Sequence, residues 1–183
     1  MARVPSIVIL GGGFSGVMTA AQILRRAKAP LLVRLIERKP SFGRGVAYGT
    51  SFAEHLLNVP AARMSAFPDN PGHFLRWSGI LDAAFASRRD YSRYLRPILK
   101  EAAKTAHPGV RLELLRGEAI AAAPSRDAAE IALADGRLIR ADRVVLALGH
   151  RRPGHSTGGA SRVFSRSDRR APDEPGRASP CPR

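Results

Sequence analysis

Cysteine is nearly missing from this chain. The one present, Cys181, is third from the end, which excludes an internal disulfide and a cysteine-based metal site and reads as a cytoplasmic protein. The five histidines show no metal-ligand spacing. No apolar run approaches the roughly 20 residues of a membrane span. "SIVIL", residues 6–10, follows Arg3 as a signal peptide's apolar stretch would, but it is too short and ends in three glycines rather than a cleavage site. Acidic residues are half as numerous as basic ones, 15 against 30, for a net charge of +15. That surplus raises nucleic acid or an anionic membrane as a partner. Residues 151–183 hold eight arginines against three acids, and the rest of the surplus is scattered. No basic helix or basic-aromatic stripe forms a footprint, so nucleic acid is not the expected partner, and no membrane is expected either.

What the chain does have is 183 residues of which 44% are hydrophobic, enough for one domain with a core. Val4 to Leu10 is an apolar run ending at glycine, as a strand buried on both faces reads. Ser15 to Lys28 follows as a helix, with Val17, Ala20, Ala21 and Leu24 at helical spacing and Pro30 beyond it. Leu31 to Ile36 is a second apolar strand closed by Glu37, which completes a βαβ unit with parallel strands. Residues 38–69 are rich in glycine and proline and read as a long functional loop. Asn70-Pro71 predicts a capped short helix through Trp77, and Asp90 predicts the cap of a helix reaching about Ala106. Residues 110–140 predict short antiparallel strands, with a hairpin at Asp135-Gly136. "RVVLALGH", residues 143–150, predicts a parallel strand returning to the first sheet. Residues 151–183 contain five prolines and four glycines, with Val163 and Phe164 as their only large apolar side chains, and are expected to be disordered.

Gly11, Gly13 and Gly16 form G-x-G-x-x-G between the first strand and the first helix, 21 residues before Glu37. Gly11 permits a sharp turn, Gly13 a close backbone approach to a pyrophosphate, and Gly16 tight packing of helix on strand. The helix start offers free N–H groups and partial positive charge to phosphates, and Phe14 and Ser15 belong to this cradle. Glu37 is placed to accept hydrogen bonds from an adenosine ribose and repels a 2′-phosphate, which leaves FAD or NAD. Arg38, next to it, is a further candidate contact, although Arg38 and Lys39 also read as a solvated pair. An S-adenosylmethionine methyltransferase uses a similar turn and acid and is the minor alternative. A simple NAD domain continues with a helix and third strand soon after this acid. Here a glycine-rich loop, two helices and an antiparallel meander intervene.

That order resembles the FAD/NAD(P)-binding flavoprotein oxidoreductases with two dinucleotide-binding domains. The closer resemblance is to a bacterial group of FAD/NAD(P)-binding proteins, distantly similar to flavin-dependent N-hydroxylating monooxygenases and including some assigned as urate hydroxylases. It rests on "ILGGGFSGVMTAAQILR", "LIERKPSFGRGVAYGT", "HLLNVPAARMSAFPDNPGHFLRW", "SRRDYSRYL" and "RVVLALGH" within residues 4–150. The resemblance implies a Rossmann-like α/β FAD-binding domain over residues 1–150, incomplete, with a βαβ start, a helical insertion and a small meander. It implies that Gly11, Gly13 and Gly16 hold the FAD pyrophosphate and Glu37 the ribose. Gly45, Asn58 and Met64 are flavin-side candidates in two loops, and Leu148-Gly149 ends the strand beneath the cofactor. No catalytic residue is assigned.

Relatives of this kind continue from the "ALG" strand into a nicotinamide-binding domain. After "LALGHRRPG" no second glycine motif follows, and the composition is that of GC-rich DNA read out of frame. Residues from about 151 are therefore expected to be a frameshifted or truncated end. The expected function is the N-terminal fragment of an FAD-dependent oxidoreductase that takes electrons from NAD(P)H and acts on an unknown small molecule. The alternatives are a non-catalytic dinucleotide-binding module and a nucleic-acid-binding protein driven by the arginine tail.

Overall fold

The computed structural model describes residues 3–149. The expected disorder and frame change after residue 150 lie outside them. The chain runs β1 (Ser6–Leu10), α1 (Phe14–Arg26), β2 (Leu31–Glu37), a 3-10 turn (Ala61–Arg63), α2 (His73–Ser78) and α3 (Arg88–Lys104), and then β3 (Val110–Arg116), β4 (Ala119–Pro124), β5 (Ala129–Leu133), β6 (Leu138–Ala141) and β7 (Arg143–Leu146). One sheet has the order β3-β2-β1-β7 with every pairing parallel. The other, β4-β5-β6, is antiparallel. The fold is a Rossmann-like α/β domain.

The near-continuous apolar runs of β1 and β2 follow from burial on both faces. Ile9, Val33 and Leu35 face α1 and α3, where they join Val17, Leu24, Leu95 and Leu99. Val8, Leu10 and Ile36 face the meander, where Ile131, Leu133 and Ala141 cover them. The sheet is thus the middle of three layers. The meander closes the face that further helices would otherwise occupy.

Three local expectations are corrected. "VRLELLR" is not part of the antiparallel meander. It is β3, parallel to β2 from Leu31↔Val110 to Glu37↔Arg116, because α3 carries the chain back along the sheet before it forms. Its period-two pattern comes from being an outer strand with one poorly covered face. α2 starts after Gly72, not at Asn70-Pro71. Asn70 is instead held in a turn, with its carbonyl accepting from His73 N–H at 3.0 Å and Ser65 Oγ at 2.7 Å. α3 is capped by Ser87, whose Oγ accepts from Asp90 N–H at 3.0 Å. Asp90, the expected cap, is in the first turn and accepts from Ser87 Oγ at 2.7 Å. The Asp135-Gly136 hairpin is present, with Gly136 at φ +86°. β7 returns parallel beside β1.

Candidate dinucleotide site

The turn from β1 to α1 is built from backbone alone. Gly11 has φ +106°, and a Cβ there would lie 2.3 Å from the Ala147 carbonyl oxygen just beyond β7. A Cβ on Gly16 would lie 1.8 Å from the Gly11 oxygen and 3.3 Å from Leu35. Gly11 therefore lets the turn pass the neighbouring strand, and Gly16 lets the helix pass the turn.

Gly13 caps α1, with no side-chain bond to the first turn and no acidic residue in it. The N–H groups of Phe14, Ser15 and Gly16 precede the first helical bond, which Val17 N–H makes to the Gly13 oxygen at 3.0 Å. A bare cap and an unopposed helix start suit a pyrophosphate. Ser15 is exposed there. The backbone that comes closest to Gly13 is that of Gly45, at φ +53°. A Cβ on Gly45 would lie 3.1 Å from the Gly13 Cα. Gly43 N–H donates to the Gly12 oxygen at 2.7 Å. The loop after β2 thus folds onto the glycine turn and brings Gly45 against it.

Glu37 reaches the same turn. One carboxylate oxygen accepts from Gly12 N–H at 2.7 Å and the other from Lys39 N–H at 2.9 Å. Arg38 is exposed and pairs with Glu118 at 3.5 Å. Gly149, at φ +65°, follows β7, and Ala147 N–H donates to the Leu10 oxygen at 2.8 Å, so the end of this strand lies beside the turn. Asn58 and Met64 are placed differently. Asn58 is exposed, and Met64 is half-buried against the helical core. Among the described residues no hydrogen bond joins either to the glycine turn.

Gly12, which motif spacing treats as a free position, is as constrained as its neighbours. A Cβ there would lie 2.7 Å from the Phe42 ring and 2.8 Å from Glu37 Cβ. The signal available in sequence was the run of three glycines where the motif needs two. Phe14 belongs to an aromatic group with Tyr48 and Tyr91, at centroid distances of 6.4 and 6.1 Å. Burial pushes both tyrosine hydroxyls above the ordinary phenol value, so both stay neutral; Arg88 partly opposes this at Tyr48.

A parallel sheet with a glycine turn opening its first helix and an acid ending its second strand defines a Rossmann-type dinucleotide-binding protein. The chain belongs to the FAD-NAD(P)-binding family, whose model matches residues 8–151. No curated protein matches it. Among solved structures it is similar to a flavin-containing monooxygenase from Stenotrophomonas maltophilia, with 23% identity and a TM-score of 0.56, over 79% of this chain and 39% of that one. It is also similar to cyclohexanone monooxygenase from Rhodococcus sp. Phi1 bound to NADP+, with 20% identity and a TM-score of 0.57, over 80% of this chain and 26% of that one. An oxidized steroid monooxygenase bound to NADP matches at 18% identity and a TM-score of 0.58, over 81% of this chain and 26% of that one. The chain thus spans about two fifths or less of the length of these proteins. Among the described residues no helix is long and apolar enough to cross a membrane.

Proposed function

We propose that this chain carries the FAD-holding part of a cytoplasmic FAD-dependent oxidoreductase whose electron donor is a nicotinamide dinucleotide and whose substrate is a small molecule. One observation carries the reading: Glu37 and the bare cap Gly13 meet at one turn, where the first-turn N–H groups of α1 face no acidic side chain. In this reading Gly11, Gly12, Gly13 and Gly16 shape the cradle, and the backbone of Phe14 and Ser15 binds phosphate. Glu37 holds the adenosine ribose with oxygen lone pairs left after Gly12 and Lys39. Arg38 flanks the ribose, Gly45 and Gly149 border the cofactor, and Asn58 and Met64 serve the flavin side of the loop. Bound FAD supplies the electron transfer, and the residues of this chain bind and orient it.

The purified chain is titrated with FAD and followed by flavin fluorescence, with Glu37→Gln as the comparison and NADPH oxidation as the second readout. Saturable FAD binding, weakened about tenfold or more by the substitution, supports the reading, since a hydrogen bond to a charged group contributes about 1.5–3 kcal/mol. Absence of flavin binding overturns it. A second reading is a non-catalytic dinucleotide-binding module. Oxidation of NADH or NADPH by the FAD-loaded chain excludes that module.

A further inference from the structure

A cleft of about 800 Å³ opens at the other end of α1, between that helix, α2 and α3. Arg25, in the last turn of α1, lines it. At 1.5 Å per residue, Arg25 is roughly 17 Å along the helix from Phe14, so the cleft is separate from the glycine turn. Its volume is in the range of small-molecule sites.

The walls combine flat apolar rings with hydrogen-bond donors. Phe67 is buried, with the Arg25 guanidinium 4.9 Å over its ring. Trp77 is 41% exposed at the cleft. His73 is set by its neighbours. Ala66 N–H donates to the Tyr94 oxygen at 3.3 Å, and we assign the phenol proton to His73 Nδ1 at 2.7 Å. The ring is then a neutral tautomer with its proton on Nε2, for which the described residues provide no partner. Burial, and then Arg76 and Arg25, hold its pKa below the ordinary histidine value, in keeping with that form. Lys100 and Lys104 add cations, and Asp69 and Glu101 are the opposing carboxylates. None of these five charged groups, Arg25 included, forms an ion pair among the described residues. The cations outnumber the acids.

We propose that this cleft is a second ligand site that takes a small planar aromatic carboxylate, with its ring on Trp77 and its carboxylate on Arg25 and His73 Nε2, while Phe67 beneath the guanidinium holds Arg25 in place. A flat ring suits the Trp77 indole, and a carboxylate suits a guanidinium fork beside a neutral N–H donor. The arginine-rich residues 151–183 have the wrong charge to be the occupant.

Trp77 is the chain's only tryptophan, so its fluorescence reports on the cleft directly. The full chain is titrated with benzoate, with benzyl alcohol as the ring without charge and acetate as the charge without ring. The expected result is saturable quenching by benzoate alone, shifted about tenfold to higher concentration in Arg25→Gln. Lys104→Gln, exposed on the last turn of α3, is the second variant in case Arg25→Gln fails to fold, and a shift of two- to threefold is expected there. No saturable response to benzoate, an equal response to benzyl alcohol, or unchanged affinity in the variant that folds overturns the proposal. Flavin fluorescence is read in parallel, so failure here is distinct from failure of the dinucleotide site.

Discussion

At the scale of single residues, glycines that look alike in sequence carry different constraints. Gly16 has ordinary backbone angles, yet a Cβ would meet the Gly11 oxygen at 1.8 Å. Gly136 has φ +86°, yet a Cβ would have nothing within 4 Å. The first is a packing constraint and the second a conformational one. Gly136→Ala is therefore expected to lower stability by about 1–2 kcal/mol while leaving the fold intact. Gly16→Ala is expected to cost about 3 kcal/mol or more, because neither backbone segment can yield without moving the helix off the sheet. Urea denaturation of both variants measures the difference, and equal losses would refute this assignment of causes.

At the scale of elements, β3 is the most informative. The period-two pattern of Val110–Arg116 is correct for a strand, but it does not say which sheet the strand joins. That depends on α3, whose apolar face of Tyr91, Tyr94, Leu95, Ile98 and Leu99 packs on α1 and the loops, so that its end delivers the chain beside β2. Leu112 packs against the helical core, whereas Leu114 is 48% exposed. Leu112→Asp is expected to lower the thermal midpoint by several degrees or more, and Leu114→Lys is expected to be near neutral. Thermal unfolding followed by circular dichroism tests the pair. The start of α3 is decided in a similar way: Asp90 and Ser87 are both good capping residues, three positions apart, and only the backbone of the preceding segment selects Ser87. That segment is pinned by Leu57 N–H to the Ala86 oxygen at 2.9 Å, a contact across 29 positions.

At the scale of the whole molecule, the two ends of the described region are tied together at Asp142. Its carboxylate accepts from both the N–H and the Oγ of Ser6, at 2.7 and 2.9 Å, and also meets Arg3. These bonds, the Ser6 side chain first, hold its pKa below the ordinary 3.8. A carboxyl whose native value is depressed stabilises the fold fully above its unfolded value, and that contribution disappears as pH falls through the native one. Stability of the wild type is expected to fall as pH drops below about 4. In Asp142→Asn that acid limb is expected to be shallower. Urea midpoints across pH 2–7 check it, and parallel curves for the two proteins would rule out a role for this group.

The glycine spacing, the apolar β1 and β2 and the acid after β2 determined the βαβ unit and the dinucleotide-binding class, because they depend on neighbours within some 30 residues. The hairpin at Asp135-Gly136 was equally legible, since its turn chemistry is local. Only the tertiary structure placed β3 in the parallel sheet, Gly45 against Gly13, Phe42 over Gly12 and the meander over the second face of the sheet. Each of these depends on which distant backbone arrives alongside. Such arrivals are decided by the packing of α3 and the long loop, whose apolar residues show no period that points to a partner. The cleft beside Arg25 belongs to the same class, since its walls come from α1, α2, α3 and the loop before α2.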